Sequence, residues 1–137
     1  MSVSAQPTAF FNKTYDETLS LLTEMRDYVA YSEERDRAQL APLDSARLCC
    51  ASLRATARLT QIMAWLLSQK AVHAGEMSTS DLVASNDPLA EIAVCMEGES
   101  EGESAGLPQR FRDLIERSHR LYIRVARLDD MVRRQAS

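Results

Sequence analysis

The sequence predicts an all-α protein: an antiparallel three-helix bundle with a long acidic loop between helices two and three. Three observations lead there. Apolar residues recur at three- and four-residue steps through three long stretches. Ala, Leu, Arg and Glu are abundant while Val, Ile and Phe are few, a bias toward helix over strand. Only four Gly and four Pro occur, and most of them gather in residues 75–108.

The first helix is expected over about residues 12–37. Phe11, Tyr15, Leu19, Leu22, Met25 and Val29 make one apolar stripe. Thr14 and Glu17 have the spacing of a capping box, in which hydroxyl and carboxylate satisfy the first free N–H groups. Residues 1–9 are small and polar and read as a disordered N-terminus. The charged run 33–37 ends the helix in solvent. Ala41-Pro42 then breaks it, because proline disfavours helix in the residue before it.

The second helix is expected over residues 43–75, with Asp44 as N-cap and Gly75 as its stop. About 32 residues at 1.5 Å each span roughly 48 Å. Its apolar residues cover more than one stripe, and the run from Ile62 to Leu67 is apolar all round. A helix of that kind is buried on most sides. Beyond packing on both neighbours, it leaves apolar surface for a second subunit, which places Ile62, Met63, Trp65 and Leu66 at a homodimer contact.

Ser78 or Thr79 is placed to cap a short turn through Leu82 and Val83, ended by Asn86-Asp87-Pro88. Leu89 to Met96 adds another turn. The tandem tetrapeptide Glu97-Gly98-Glu99-Ser100, Glu101-Gly102-Glu103-Ser104 lacks apolar residues and reads as a flexible loop over 97–106. The third helix is expected over 108–134, with Pro108 in its first turn, where a missing N–H costs nothing. Phe111, Leu114, Leu121, Val125, Leu128 and Val132 keep close to a seven-residue repeat. Together, residues 10–137 form one domain, a size that folds without disulfide or metal.

Charge divides the chain the same way. Residues 12–37 carry net −3, residues 43–75 net +3, residues 108–134 net +4 and residues 76–107 net −8. An acidic first helix beside two basic ones is favourable, though exposed pairs are individually weak. The net charge of −4 argues against a general nucleic-acid binder. No basic cluster followed by an apolar core opens the sequence, and no run of about 18 apolar residues occurs. The expectation is a cytoplasmic protein, and three cysteines, an odd number with Cys49 and Cys50 adjacent, fit it.

Nothing assembles into chemistry. His73 and His119 have no Cys, His or acid at ligand spacing, and read as ordinary helix-surface histidines. Cys49 and Cys50 point about 100° apart on a helix and read as small hydrophobes. The acidic repeat lacks the alternating ligands and closing bidentate Glu of a calcium loop. A ligand site in the core would have only Thr56, Ser118 and Tyr122 to use. No glycine-rich phosphate loop is present. The expectation is no enzyme, no cofactor and no metal.

One surface feature remains. Arg110, Asp113, Arg117, Arg120, Arg124 and Arg127 follow three- and four-residue steps on one face of the third helix. The stripe is read either as a solvated face paired with helix one or the acidic loop, or as a docking face for an acidic protein partner. Nucleic acid is the weakest reading, because no aromatic interleaves with the arginines to stack bases.

Two stretches also resemble a known family. Residues 59–77, Leu-Thr-Gln-Ile-Met-Ala-Trp-Leu-Leu-Ser-Gln-Lys-Ala-Val-His-Ala-Gly-Glu-Met, look like the signature of the alphaproteobacterial "regulator of CtrA degradation" (RcdA-like) family. So do Leu107-Pro108, Phe111 and Leu121-Tyr122-Ile123-Arg124-Val125-Ala126-Arg127-Leu128-Asp129. The resemblance implies a dimeric three-helix bundle that acts as a non-enzymatic adaptor, helping to bring cell-cycle regulators to the ClpXP protease. It implies protein partners of protease or response-regulator type. The alternative is a dimeric helical regulatory or structural protein unrelated to proteolysis.

Overall fold

A computed structural model describes residues 5–92 and 106–136, with side chains described from Phe11 onward. The acidic repeat, Cys95 and Met96 lie outside the described residues. Among the described residues there are five α-helices and no strand: α1 (Ala5–Tyr31), α2 (Glu33–Ala38), α3 (Pro42–His73), α4 (Thr79–Ser85) and α5 (Gln109–Ala136). A 3₁₀ turn, Leu89–Glu91, follows α4. No described helix is long and apolar enough to cross a membrane.

The helices start and stop for local reasons. α1 begins at Ala5, not near residue 12, so part of the stretch expected to be disordered is helical. The Thr14–Glu17 capping box is therefore not made. Thr14 and Thr18 are buried inside the helix, and the Thr18 hydroxyl donates to the Thr14 carbonyl at 2.8 Å. A joint at Ser32 separates α1 from α2, and the Tyr28 hydroxyl bridges it, donating to Asp36 at 2.7 Å. Burial first, and then that bond, hold the Tyr28 phenol above its ordinary pKa.

In α3 the N-cap is Ala41 with Pro42 at N1; Asp44 sits within the first turn and pairs with Arg47 at 3.4 Å. Gly75 has φ +79°, with Gly75 N–H donating to Val72 and Glu76 N–H to Ala71. Those two bonds define a Schellman stop, which needs a left-handed residue and hence favours glycine. Ser78 caps α4 as its position suggested, its Oγ accepting from the Asp81 N–H at 3.0 Å.

The three long helices pack each against the other two, but not in an up–down–up order. Phe11 lies against Trp65 and His73, so α1 is antiparallel to α3. Glu24 meets Arg117 and Glu17 meets Arg124, so α1 is antiparallel to α5 as well. Arg58 meets Ser118 and Trp65 meets Asp129, so α3 and α5 run parallel. Gly106 confirms the direction: a Cβ there would sit 2.8 Å from Asp44 Oδ1, at the start of α3. The antiparallel order expected for helices two and three is thus corrected. Short loops make antiparallel neighbours, whereas residues 74–108 are long enough to return along the bundle.

The core lies along the common axis. Leu48, Leu59, Ile62, Leu66, Phe111 and Val125 are fully buried. Tyr28 stacks on Phe111 at one end, with centroids 5.1 Å apart, and Phe11 meets Trp65 edge-on at the other, at 5.8 Å. Aromatic pairs of this geometry add about 0.5–1.5 kcal/mol beyond their buried area.

Candidate functional site

Two polar assemblies stand out, one at the α1–α5 seam and one where α4 meets the bundle. At the seam, Arg117 donates to both oxygens of Glu24 at 2.9 and 2.6 Å. One helical turn pair further along, Arg124 donates to Glu17 at 2.5 Å. Arg120 pairs with Glu116 on its own helix. Arg110 Nη1 donates to the Ser32 hydroxyl at 3.4 Å. Arg127 is exposed. The stripe therefore divides: Arg117 and Arg124 clamp α5 to the acidic α1, Arg110 reaches the joint at Ser32, and Arg120 and Arg127 lie exposed away from α1.

The clamp has a pH signature. Hydrogen bonds from Arg117 are the main cause holding the Glu24 carboxyl below its ordinary pKa, partly opposed by burial. The same pairing raises Arg117. A carboxyl lowered on folding adds stability that is complete above its unfolded value, and this is lost as pH falls through the lower folded value. Both partners are more than a third exposed, so the contribution is small. Arg117→Ala should cost about 0.5–1 kcal/mol at neutral pH. Urea denaturation should show that deficit shrinking as pH drops below the ordinary carboxylate range; a deficit independent of pH would contradict the assignment.

The second assembly centres on Asp129, which is 3% exposed. Its Oδ1 accepts from the Trp65 indole N–H at 2.8 Å, and its Oδ2 from the Leu89 N–H at 2.9 Å. Arg133 Nε contacts both oxygens at 3.1 Å, and its Nη2 donates to the Asn86 carbonyl at 3.0 Å. Tyr122 completes the set, its hydroxyl donating to the Leu89 carbonyl at 2.6 Å. One carboxylate thus ties α3, α5 and the segment after α4 together. Beside it lies a cavity of about 380 Å³ whose lining includes Trp65, Gln69, Leu82, Ile92, Val132 and Arg133.

The whole-chain pattern now has a counterpart. A family model described as "protein of unknown function (DUF1465)" matches residues 4–137. The chain belongs to the DUF1465 family. No curated protein matches the sequence. Among solved structures, this DUF1465 chain is similar to RcdA from Caulobacter crescentus CB15, whose crystal structure shares 32% identity. The match covers 90% of this chain and 91% of RcdA, with a TM-score of 0.66. The RcdA likeness read from residues 59–77 and 107–129 therefore extends along nearly the whole DUF1465 domain.

The other expected site residues of this DUF1465 chain fall as follows. Ile62 and Leu66 have no exposed surface, and Trp65 has only 7%. These three side chains are enclosed in the bundle and cannot serve as an outer contact; Met63 is half-buried. The correction has a simple cause: α3 has two apolar faces, and Ile62, Trp65 and Leu66 belong to the inner one. Cys50 is exposed and Cys49 half-buried, so neither is the buried hydrophobe expected. His73 is exposed beside Phe11, and His119 lies near Tyr122. Among the described residues no three His, Cys, Asp or Glu gather to hold a metal. Ser118 donates to the Ile115 carbonyl, Tyr122 is bound to Leu89, and Thr56 is exposed, so the three do not converge on a ligand site.

Sequence reasoning missed Asp129 and Arg58. Both left a trace: Ser118, Tyr122, Val125 and Asp129 follow four-, three- and four-residue steps on the inner face of α5. Arg58 sits likewise between Ala55 and Ile62, and is 1% exposed. A charge at a core register is the signal to seek.

Proposed function

We propose that this protein is a non-enzymatic protein–protein adaptor that assists regulated, ClpXP-type proteolysis of cell-cycle regulators. The carrying observation is the 32% identity to RcdA over nine-tenths of both chains. That protein's name denotes a regulator of CtrA degradation, and the reading transfers that role here. Its partners are proteins of protease or response-regulator type, met in the cytoplasm, and it acts as a homodimer without cofactor, nucleic acid or membrane.

Supporting this, the buried Asp129 and Arg58 are engaged in holding helices together. Arg120 and Arg127 supply the outward part of the basic stripe, suited to an acidic protein surface, with Arg110 at its edge; Arg117 and Arg124 act through the clamp.

The test is the half-life of cell-cycle response regulators in cells lacking the gene. We expect it to lengthen several-fold. Wild-type complementation should restore it, and the Arg120→Glu/Arg127→Glu pair should not. An unchanged half-life on deletion would instead favour a dimeric helical regulatory or structural protein unrelated to proteolysis.

A further inference from the structure

The cavity between α3, α4 and α5 contains a buried polar group that nothing around it satisfies. α4 is only seven residues long and packs mainly on α5. The space it leaves against α3 is the cavity of about 380 Å³ beside Asp129. That volume falls within the size range of small-ligand sites and has room for about a dozen water-sized groups.

Gln69 lines the cavity from α3, one helical turn beyond Trp65. The residue is 4% exposed, and its Nε2 has no hydrogen-bond partner among the described residues. An enclosed amide N–H without an acceptor is a cost that an apolar side chain of the same shape avoids. Buried polar groups in folded proteins are otherwise paired, so Gln69 calls for an acceptor brought from outside.

The rest of the lining sets the chemistry of what enters. Leu82, Val83, Ile92 and Val132 give the cavity an apolar wall beside Trp65. Asp129 and Arg133 offset each other at 3.1 Å. Arg133 also donates to the Asn86 carbonyl, so its charge is not offered to an anion. Among the described lining residues the one other charge is Asp87, which is exposed and negative. An anion is disfavoured there, and the enclosed part calls for no charge at all.

We propose that this cavity binds a small uncharged ligand with a carbonyl oxygen on an apolar body. The oxygen accepts from Gln69 Nε2, and the body packs among Leu82, Ile92 and Val132. A capped apolar amino acid has this chemistry, either free or as one residue of a peptide. The inference goes beyond the adaptor role and does not depend on it.

Trp65 is the single tryptophan of the chain and stands in the cavity wall, so its emission reports occupancy. N-Acetyl-leucinamide titrated into the full chain should change that emission saturably. Half-saturation should lie in the millimolar range or tighter, as about a dozen ligand atoms allow. N-Acetylglycinamide lacks the apolar body and N-acetyl-leucine carries a carboxylate; each should bind several-fold more weakly. Gln69→Met keeps the length and loses the donor. It should weaken binding about fivefold while stability in urea stays equal or rises. Val83→Phe fills the cavity from its half-buried rim and should abolish the response, with the helical circular-dichroism signal retained. The same leucine within a capped five-residue alanine peptide separates the two sources: retained binding assigns a peptide segment, and lost binding a free small molecule. Four results would overturn the proposal: no saturable response to N-acetyl-leucinamide, equal binding of N-acetylglycinamide, unchanged binding in Gln69→Met, or marked destabilisation by Gln69→Met. None of these readouts involves regulator half-lives, so this inference and the adaptor role fail separately.

Discussion

Asp129→Ala should destabilise the protein by about 3–5 kcal/mol, among the largest losses any single substitution here produces. The carboxylate is almost wholly buried and is engaged by three partners from three parts of the chain. Removing it leaves the Trp65 indole N–H and the Leu89 N–H buried and unpaired. Each unpaired buried donor costs about 1–3 kcal/mol. It also leaves Arg133, whose side chain is 17% exposed, without its counter-charge. Asp129→Asn keeps an acceptor and should fall between. Arg133→Ala should cost less than either, because water reaches that end of the pair. Urea denaturation followed by circular dichroism measures all three. Hydrogen exchange should locate the loss first at the Leu89 amide. A loss below about 1 kcal/mol for Asp129→Ala would place the weight of this junction elsewhere.

The second large effect separates two adjacent leucines. Leu66→Ala should cost about 2–5 kcal/mol, because Leu66 is fully enclosed and its removal opens a cavity in a packed core. Leu67→Ala should change the folding of the single chain by no more than about 0.5 kcal/mol, because Leu67 is 51% exposed. Urea denaturation followed by circular dichroism measures the two losses. Equal stability losses would mean that α3 is turned differently from the arrangement described here.

Both results bear on what the residues alone could reveal. The six-residue run from Ile62 to Leu67 gave a true signal, an excess of apolar surface on one helix. Periodicity counted that excess without saying which face was inside, because Leu66 and Leu67 differ only by 100° of rotation. The stops were readable where a residue's chemistry is local: Gly75 ends α3 and Ser78 opens α4, each through bonds within a few residues. The start of α1 was not, because Thr14, buried within the helix, stands three residues before Glu17 and so looks, in sequence, like a cap. The basic stripe's pairing with helix one was weighed from charge and is seen at Arg117 and Arg124. The direction of α5 was out of reach. It depends on the path of residues 74–108, which carry no sustained periodicity of their own.

That direction has a consequence for how the molecule is put together in time. Partners that α5 brings into register lie 60 residues apart at Arg58–Ser118 and 107 apart at Glu17–Arg124. Helical proteins usually fold fast because their contacts are near neighbours along the chain. Here α1 and α3 are joined by a short link and meet early at small entropic expense. α5 must close a much longer loop before any contact rewards it. The pace of folding is therefore set by the arrival of the last helix, and by the junction at Asp129 that holds it once it has arrived.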